Sequence, residues 1–231
     1  MTRDKRGAGP EKLAAAARAA GVADPLVLDA MRRTPRAAFV PAACADRAYD
    51  DGPVPIPHHQ VTTQPSLCAM MIAVLRLDGT QQVLEVGTGY GYQTALLARL
   101  AARVVSIEIW PDLAEQARRN LAAQGIGNAV VLVGDGSEGA PDYGPFDAVV
   151  VCAFPRVPRP LAEQLRTGGR LVQPVGPGGA EQRQHGSCEN HLAVVPGATH
   201  LFEEPGTLDA AAGLARDWFV SHLADRRNPV A

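Results

Sequence analysis

"VLEVGTGYGYQTALLARL", residues 83–100, decides how this chain is read. It begins as an apolar run, places glycines at alternate positions, Gly87, Gly89 and Gly91, and closes on a helical pattern. Strand, bare turn and helix in that order put unhindered backbone N–H groups at the carboxyl edge of the strand, where a ligand approaches the main chain closely. The spacing is G-x-G-x-G. The dinucleotide fingerprint G-x-G-x-x-G needs glycine at position 92, which is Tyr92, so a nicotinamide dinucleotide is disfavoured.

The flanking segments define the sheet. "PSLCAMMIAVLRL" reads as a helix, and β-like runs at 82–86, 103–107, 129–133 and 146–152 follow it. Helical patterns at 94–100 and 113–124 separate the first three, the second with Leu113, Ala117 and Leu121 recurring every four residues. Strands alternating with helices predict an α/β fold, a doubly wound, mostly parallel sheet covered on both faces. "PLAEQLRTGGRLVQPVG" adds a helix, a stop at Gly168 and Gly169, and a fifth strand. Residues 11–20 and 25–33 read as two short N-terminal helices parted by Gly21. Between them and the sheet, Pro35, Pro41, Pro53, Pro55, Pro57 and Pro65 interrupt any regular element, which makes this stretch either a long ordered loop or a linker.

Two further strand ends converge on the glycine turn. Glu108, 17 residues beyond Gly91, follows the second strand, where a carboxylate can accept both hydroxyls of a ribose. Asp135 and Gly136 in "VLVGDGSEG" follow the third. Each feature has an ordinary reading alone: close helix packing, a solvated turn acid, a turn former or helix cap. Their order along one sheet edge points instead to a nucleoside-sized ligand.

Length and composition bound the rest. A chain of 231 residues makes one domain the default. Charged residues make up 20%, and the net charge of −2 lacks the electrostatic footprint of a nucleic-acid binder or membrane-surface protein. Cys44, Cys68, Cys152 and Cys188 lie far apart with no C-x-x-C pair, which fits free thiols in a cytoplasmic protein rather than a disulfide frame or a metal site. The N-terminal "MTRDKRGAGPEKLAAAARAAG" carries Lys12 and Arg18 within its Ala-rich run and lacks a signal-peptide core. No stretch approaches the roughly 20 apolar residues of a membrane span. A cytoplasmic monomer without metal, nucleic-acid or membrane partner is expected.

Seven segments in order, "VLDAMRRTPRAAFVP", "AYDDGPVPIPHHQVTTQPS", "VLEVGTGYGYQTALLA", "VVSIEIWPDLAEQARRNL", "GDGSEG", "PFDAVVVCAFPRVPRPL" and "GGRLVQPVG", resemble the protein-L-isoaspartate O-methyltransferases, within the class I S-adenosylmethionine-dependent methyltransferases. The resemblance spans about residues 22–178, and its Pro-rich "IPHHQVTTQP" part is more specific than the glycine turn. It implies S-adenosyl-L-methionine as cofactor, held at its methionine part by Gly87, Thr88, Gly89 and Gly91 with Glu85 nearby. Glu108 would bind the ribose, and Asp135 with Gly136 would border the adenine. The substrate loop would comprise His59, Gln60, Val61, Thr62 and Gln64 around Thr63, which stands where the family usually carries serine and would hold or polarise the substrate carboxylate. Thr62 departs from the branched apolar residue usual there. His58 and His59 have either a titrating role or loop hydrogen bonds. Trp110 and Tyr92 either stack on adenine and line the methyl path or pack in the core and rim.

The implied substrate is a peptide or protein with a free isoaspartyl or similar carboxylate. Such a group is ionised at neutral pH, so no general base is needed and alignment is the main requirement. Two alternatives share the cofactor: a tailoring enzyme that methylates an Asp or C-terminal carboxylate of a ribosomally made peptide, and a catalytically impaired nucleoside-binding module. An RNA-methylating role is disfavoured by the absence of a basic face. The methyltransferase domain is expected over residues 1–184, with the N-terminal helices and substrate loop at 1–65 and the nucleotide-binding core at 66–184. Residues 185–231 would form a divergent extension, joined through "GPGGAEQRQHGSCEN" and carrying a strand and a helix. From 190 to 224 it resembles the end of a dienelactone-hydrolase-type α/β-hydrolase, with His200 in the histidine's place, but no nucleophile elbow accompanies it.

Overall fold

A computed structural model describes residues 8–153, 158–175 and 191–192. Two N-terminal helices, α1 (Ala8–Ala19) and α2 (Pro25–Arg32), come first. Asp24 caps α2 by accepting the Leu26 N–H, and Pro25 supplies the fixed φ suited to a first turn. The proline-punctuated stretch is not a linker. It holds two 3-10 turns (Arg36–Phe39 and Ala42–Arg47) and an antiparallel ribbon of β1 (Val54–Ile56) and β2 (Gln60–Thr62). Three-residue strands fall below the length at which alternation can be read from sequence.

Then come α3 (Pro65–Leu75), β3 (Gln82–Val86), α4 (Tyr92–Ala98), β4 (Arg103–Glu108), α5 (Pro111–Ala123), β5 (Ala129–Val133), β6 (Phe146–Val151), α6 (Arg159–Glu163) and β7 (Leu165–Val172). The five strands β3 to β7 form one parallel sheet in the order β5-β4-β3-β6-β7. The chain winds outward from β3 in one direction and then, through β6, in the other. The crevice where ligands bind such sheets lies at that reversal, between β3 and β6.

Alternate strand residues serve two cores. Val83, Val104, Ala148 and Val150 pack with α1 to α5, while Leu84, Val86, Val105, Ile107, Val149 and Val151 pack with Phe146 and Leu161 on the opposite face. Burial on both faces explains why these strands read as nearly continuous apolar runs. Helix α4 starts two residues earlier than its apolar pattern, because Gly91 in the left-handed region (φ 90°) ends the turn and caps the helix there. Strand β7 begins before Gly168 and runs through it with a register irregularity, so the glycine pair bends the strand rather than separating it from α6. A two-residue pairing of β8 (Pro174–Val175) with β9 (His191–Leu192) follows. The expected junction at 176–190 and the expected tail beyond 192, with His200, lie outside the described residues, as does Cys188. Cys44, Cys68 and Cys152 are free thiols. No helix among the described residues is long and apolar enough to cross a membrane.

Candidate active site

The main-chain ladder carries the glycine turn out of the sheet. Gly87 N–H donates to the Ile107 carbonyl at 2.9 Å, and Cys152 N–H donates to the Val86 carbonyl at 2.9 Å, so the turn rises from the reversal point between β3 and its two neighbours. Gly87 has φ 99° and Gly89 φ 57°, a region where side-chain-bearing residues are strained. A cavity opens over the turn. Gly87, Thr88, Gly89 and Tyr90 of the turn line it together with Val61 and Thr62 of the ribbon, Thr63 just after it, and Cys68, Tyr92, Gln93 and Cys152.

The ribbon is fastened over this cavity at its tip. The His58 ring stacks flat on Trp110, with centroids 3.9 Å apart and planes 1° from parallel, and its Nε2 bonds the Asp112 carboxylate at 2.8 Å. That bond is the chief reason the Asp112 carboxyl sits below its usual range. His58 and His59 both have positive φ, which lets a three-residue connection turn the chain back. Trp110 thus acts as a landing surface for the ribbon, and Tyr92 is buried against Phe39 and Arg36.

Two carboxylates support the turn from behind and beside it. Glu108 accepts the Gly89 N–H at 2.7 Å through one oxygen and the Trp110 N–H at 3.1 Å through the other, which links the end of β4 to the glycine turn. Glu85 has no exposed surface, and Ser106, Thr94 and Gln93 donate to it. Ser106 Oγ lies 2.6 Å from Thr88 Oγ1, so Glu85 reaches the cavity wall only through its partners. Burial pushes the Glu85 carboxyl from 4.5 up to about 7, against the opposing pull of those three donors and with a small push from the Glu108 charge.

Because this folded pKa lies above the unfolded one, the native state keeps the proton longer. Stability from this group is full below about pH 4.5 and falls by about 3 kcal/mol as pH rises through 7. Replacing Glu85 with Gln removes that slope. Urea unfolding of both proteins from about pH 4.5 to about 8 should show their stability difference moving in the variant's favour by about 3 kcal/mol; a constant difference would exclude a raised Glu85.

Not every expected residue faces the cavity. Gly91 is turned to α5, where an added Cβ would lie 3.4 Å from that of Ala117, and Gly136 packs on Val86, with an added Cβ at 2.3 Å from its Cγ1. Their bareness lets elements approach each other. Asp135 is exposed and caps a 3-10 turn through the Ser137 N–H, which holds its carboxyl below the usual range. His59 and Gln60 are exposed at the ribbon tip, and Gln64 donates to Asp51 and Ser66 at the start of α3. Of the expected loop, Val61, Thr62 and Thr63 reach the cavity.

Several residues at or beside the cavity escaped the sequence reading of the site, Tyr90 among them. Gln93 lines the cavity with a buried Oε1 that has no partner among the described residues, while its amide nitrogen donates to Glu85 and Cys152. Arg36 is wholly buried beneath the ribbon, bonded to Thr62, and Cys68 and Cys152 line the cavity. Burial pushes the Cys68 thiol well up and that of Cys152 to about 12, so neither is a thiolate nucleophile at neutral pH. "RAAF" offered one signal, a charge set among apolar residues.

Comparison with known proteins agrees with this geometry. The sequence pattern of the protein-L-isoaspartate(D-aspartate) O-methyltransferase family matches residues 9–191, a longer stretch than the segments recognised in the sequence. A protein-L-isoaspartate O-methyltransferase of Methanoculleus marisnigri is 52% identical over 161 residues, 69% of this chain and 73% of the relative. One from Rhodopseudomonas palustris is 52% identical over 166 residues, 71% of this chain and 68% of the relative. A solved protein-L-isoaspartate O-methyltransferase superposes with a TM-score of 0.65 at 31% identity, over 72% of this chain and 55% of that one. A putative Plasmodium falciparum enzyme of that name, solved with S-adenosyl-L-homocysteine, shares the fold at a TM-score of 0.60 and 21% identity, over 79% of this chain and 88% of its own. The chain described here belongs to the protein-L-isoaspartate(D-aspartate) O-methyltransferase family.

Proposed function

We propose that this enzyme methylates the free α-carboxylate of L-isoaspartyl residues in proteins or peptides, with S-adenosyl-L-methionine as donor. The observation that carries the reading is the cavity at the glycine turn, lined by Thr63 together with Gly87 and Gly89. The donor set suits such a cofactor. Gly87 and Gly89 leave the main chain bare for its methionine part, and Gln93 Oε1, without a partner among the described residues, can accept from an ammonium or amide. Glu108 stands at the end of β4, where a ribose would lie. When bound, S-adenosyl-L-methionine supplies an electrophilic sulfonium methyl.

The protein's own work is then orientation. The substrate carboxylate is already ionised at neutral pH and needs no base. Thr63 donates its hydroxyl hydrogen to one carboxylate oxygen and aims the other. The ribbon, held by His58 on Trp110, keeps water out of the reacting space, and such alignment can supply several kcal/mol, up to about 10. Asp135 and Gly136 border the adenine end, and His59, Gln60 and Gln64 frame the entrance along the ribbon. The formal charge of −2 supports an enzyme without nucleic-acid or membrane-surface partners, the dispersed cysteines without a C-x-x-C pair support a cytoplasmic one, and nothing in the reaction requires more than a monomer. Residues 1–184 form the methyltransferase domain in this reading, and 185–231 are an extension to it.

The test is transfer of labelled methyl to one short peptide made with Asp or isoAsp at a single position. Isoaspartate-selective, base-labile labelling is expected; equal labelling of both forms would overturn the reading. With the isoAsp peptide, Thr63→Val should lower kcat/KM by about 10- to 100-fold, the value of a hydrogen bond to a charged group, with S-adenosyl-L-homocysteine affinity unchanged. A fully active variant would remove Thr63 from the site.

A further inference from the structure

Arg36 is fully buried, and no carboxylate contacts it among the described residues. Its fork is spent on neutral oxygens. Nη1 donates to the carbonyls of Asp50 at 2.9 Å and Ala48 at 3.4 Å, and Nη2 to the carbonyl of Gly52 at 2.8 Å and the hydroxyl of Thr62 at 2.8 Å. Nη2 also reaches the carbonyl of Thr63 at 3.5 Å, and Nε has no partner among the described residues. The nearby acids are engaged elsewhere. The Asp50 side chain bonds Lys12, and Asp51 takes the Gln64 amide and the Ser66 N–H. The guanidinium lies 5.8 Å from the ring centroid of Tyr92, which lines the cavity.

Thr62 is the joint. Its hydroxyl oxygen accepts from Arg36 and also from the Val54 N–H at 3.2 Å, so one atom ties the buried cation to both strands of the ribbon. Thr63 follows at once in the chain.

We propose that Arg36, acting through Thr62, is a positioning and specificity residue: it holds Thr63 in register with the cavity and makes that wall electropositive, so that the site selects an anionic carboxylate over the neutral carboxamide of the same peptide. Arginine stays charged when buried, and neutral dipoles stabilise its charge without cancelling it. In a poorly solvated wall such a charge is felt over several ångströms. The proposal rests on the isoaspartyl reading above and supplies its charge selectivity.

The test uses the full chain loaded with S-adenosyl-L-homocysteine. Calorimetry measures the affinity for an isoAsp peptide and for its analogue with the isoaspartyl α-carboxylate replaced by carboxamide, and KM and kcat for the isoAsp peptide are measured with S-adenosyl-L-methionine. Thermal midpoints and S-adenosyl-L-homocysteine affinity report structural damage. Arg36→Met should reduce the carboxylate preference by about tenfold or more, the effect of removing a charge-assisted contact, and Arg36→Lys should restore much of the preference while kcat stays low, because the ammonium lacks the fork. Should Arg36→Met fail to fold, Thr62→Val carries the test. It should raise KM for the isoAsp peptide about fivefold to tenfold with S-adenosyl-L-homocysteine affinity unchanged, and Thr62→Ser should rescue it. A folded Thr62→Val with wild-type KM, or a KM that rises only in step with lost cofactor-product affinity and thermal stability, overturns the positioning role and leaves the isoaspartyl reading intact. A wild-type enzyme that binds carboxylate and carboxamide equally overturns the charge selectivity alone, whereas equal methylation of the Asp and isoAsp peptides overturns the isoaspartyl reading on which it rests.

Discussion

Gly87→Val is expected to abolish cofactor binding in a protein that still folds. Gly87 occupies φ 99°, where a β-branched residue is strongly strained, and its added Cβ would lie 3.3 Å from the Cβ of Ala153 and 3.5 Å from that of Cys152. The turn must shift to admit the side chain, and the cavity wall is the turn itself. Strain of about 1–3 kcal/mol falls on stability, a range a domain of this size can absorb. The isopropyl group would also occupy ligand space. Calorimetric affinity for S-adenosyl-L-homocysteine should fall by more than about 100-fold, while the far-ultraviolet circular dichroism stays native. A native-like affinity would show that the ligand does not lie against Gly87.

Glu108→Ala is the second large effect. Glu108 is only 5% exposed, and its two oxygens take the N–H groups of Gly89 and Trp110. Removal deletes the proposed ribose anchor and also frees the turn at Gly89 and the Trp110 backbone that carries the ring on which His58 rests. Each lost charge-assisted bond is worth about 1.5–3 kcal/mol, so S-adenosyl-L-homocysteine affinity should drop by about 10- to 100-fold. Glu108→Gln should recover part of the loss, since one oxygen can still accept the Gly89 N–H. If Glu108→Ala binds as tightly as the wild type, the acid at the end of β4 serves only the turn.

The strands of the sheet were legible because burial on both faces leaves a nearly continuous apolar run bounded by turns, as in "QVLEV" and "FDAVVV". The glycine turn was legible because only glycine accepts three left-handed positions in five residues. What that requirement does not state is the cause at each position. Gly87 and Gly89 face a cavity, whereas Gly91 makes room for α5, and all three look alike in sequence. The ribbon was hidden among prolines because its strands are three residues each and their pairing depends on a turn at two left-handed histidines, a conformation uncommon for any residue but glycine and favoured here by outside support. That support comes from Trp110 and Asp112, more than 50 residues away.

The sequence alone determined the alternation of strands and helices, the glycine turn at the end of β3 and the family, because period, glycine placement and local motif are properties of neighbouring residues. Only the tertiary structure decided which of those residues reach the cavity, why Glu85 keeps its proton to about pH 7, and that a cation lies under the ribbon. Burial and charge compensation are sums over distant segments. Arg36 is buried by carbonyls 12 to 16 positions ahead of it and by a hydroxyl 26 positions on, and no local pattern records that meeting.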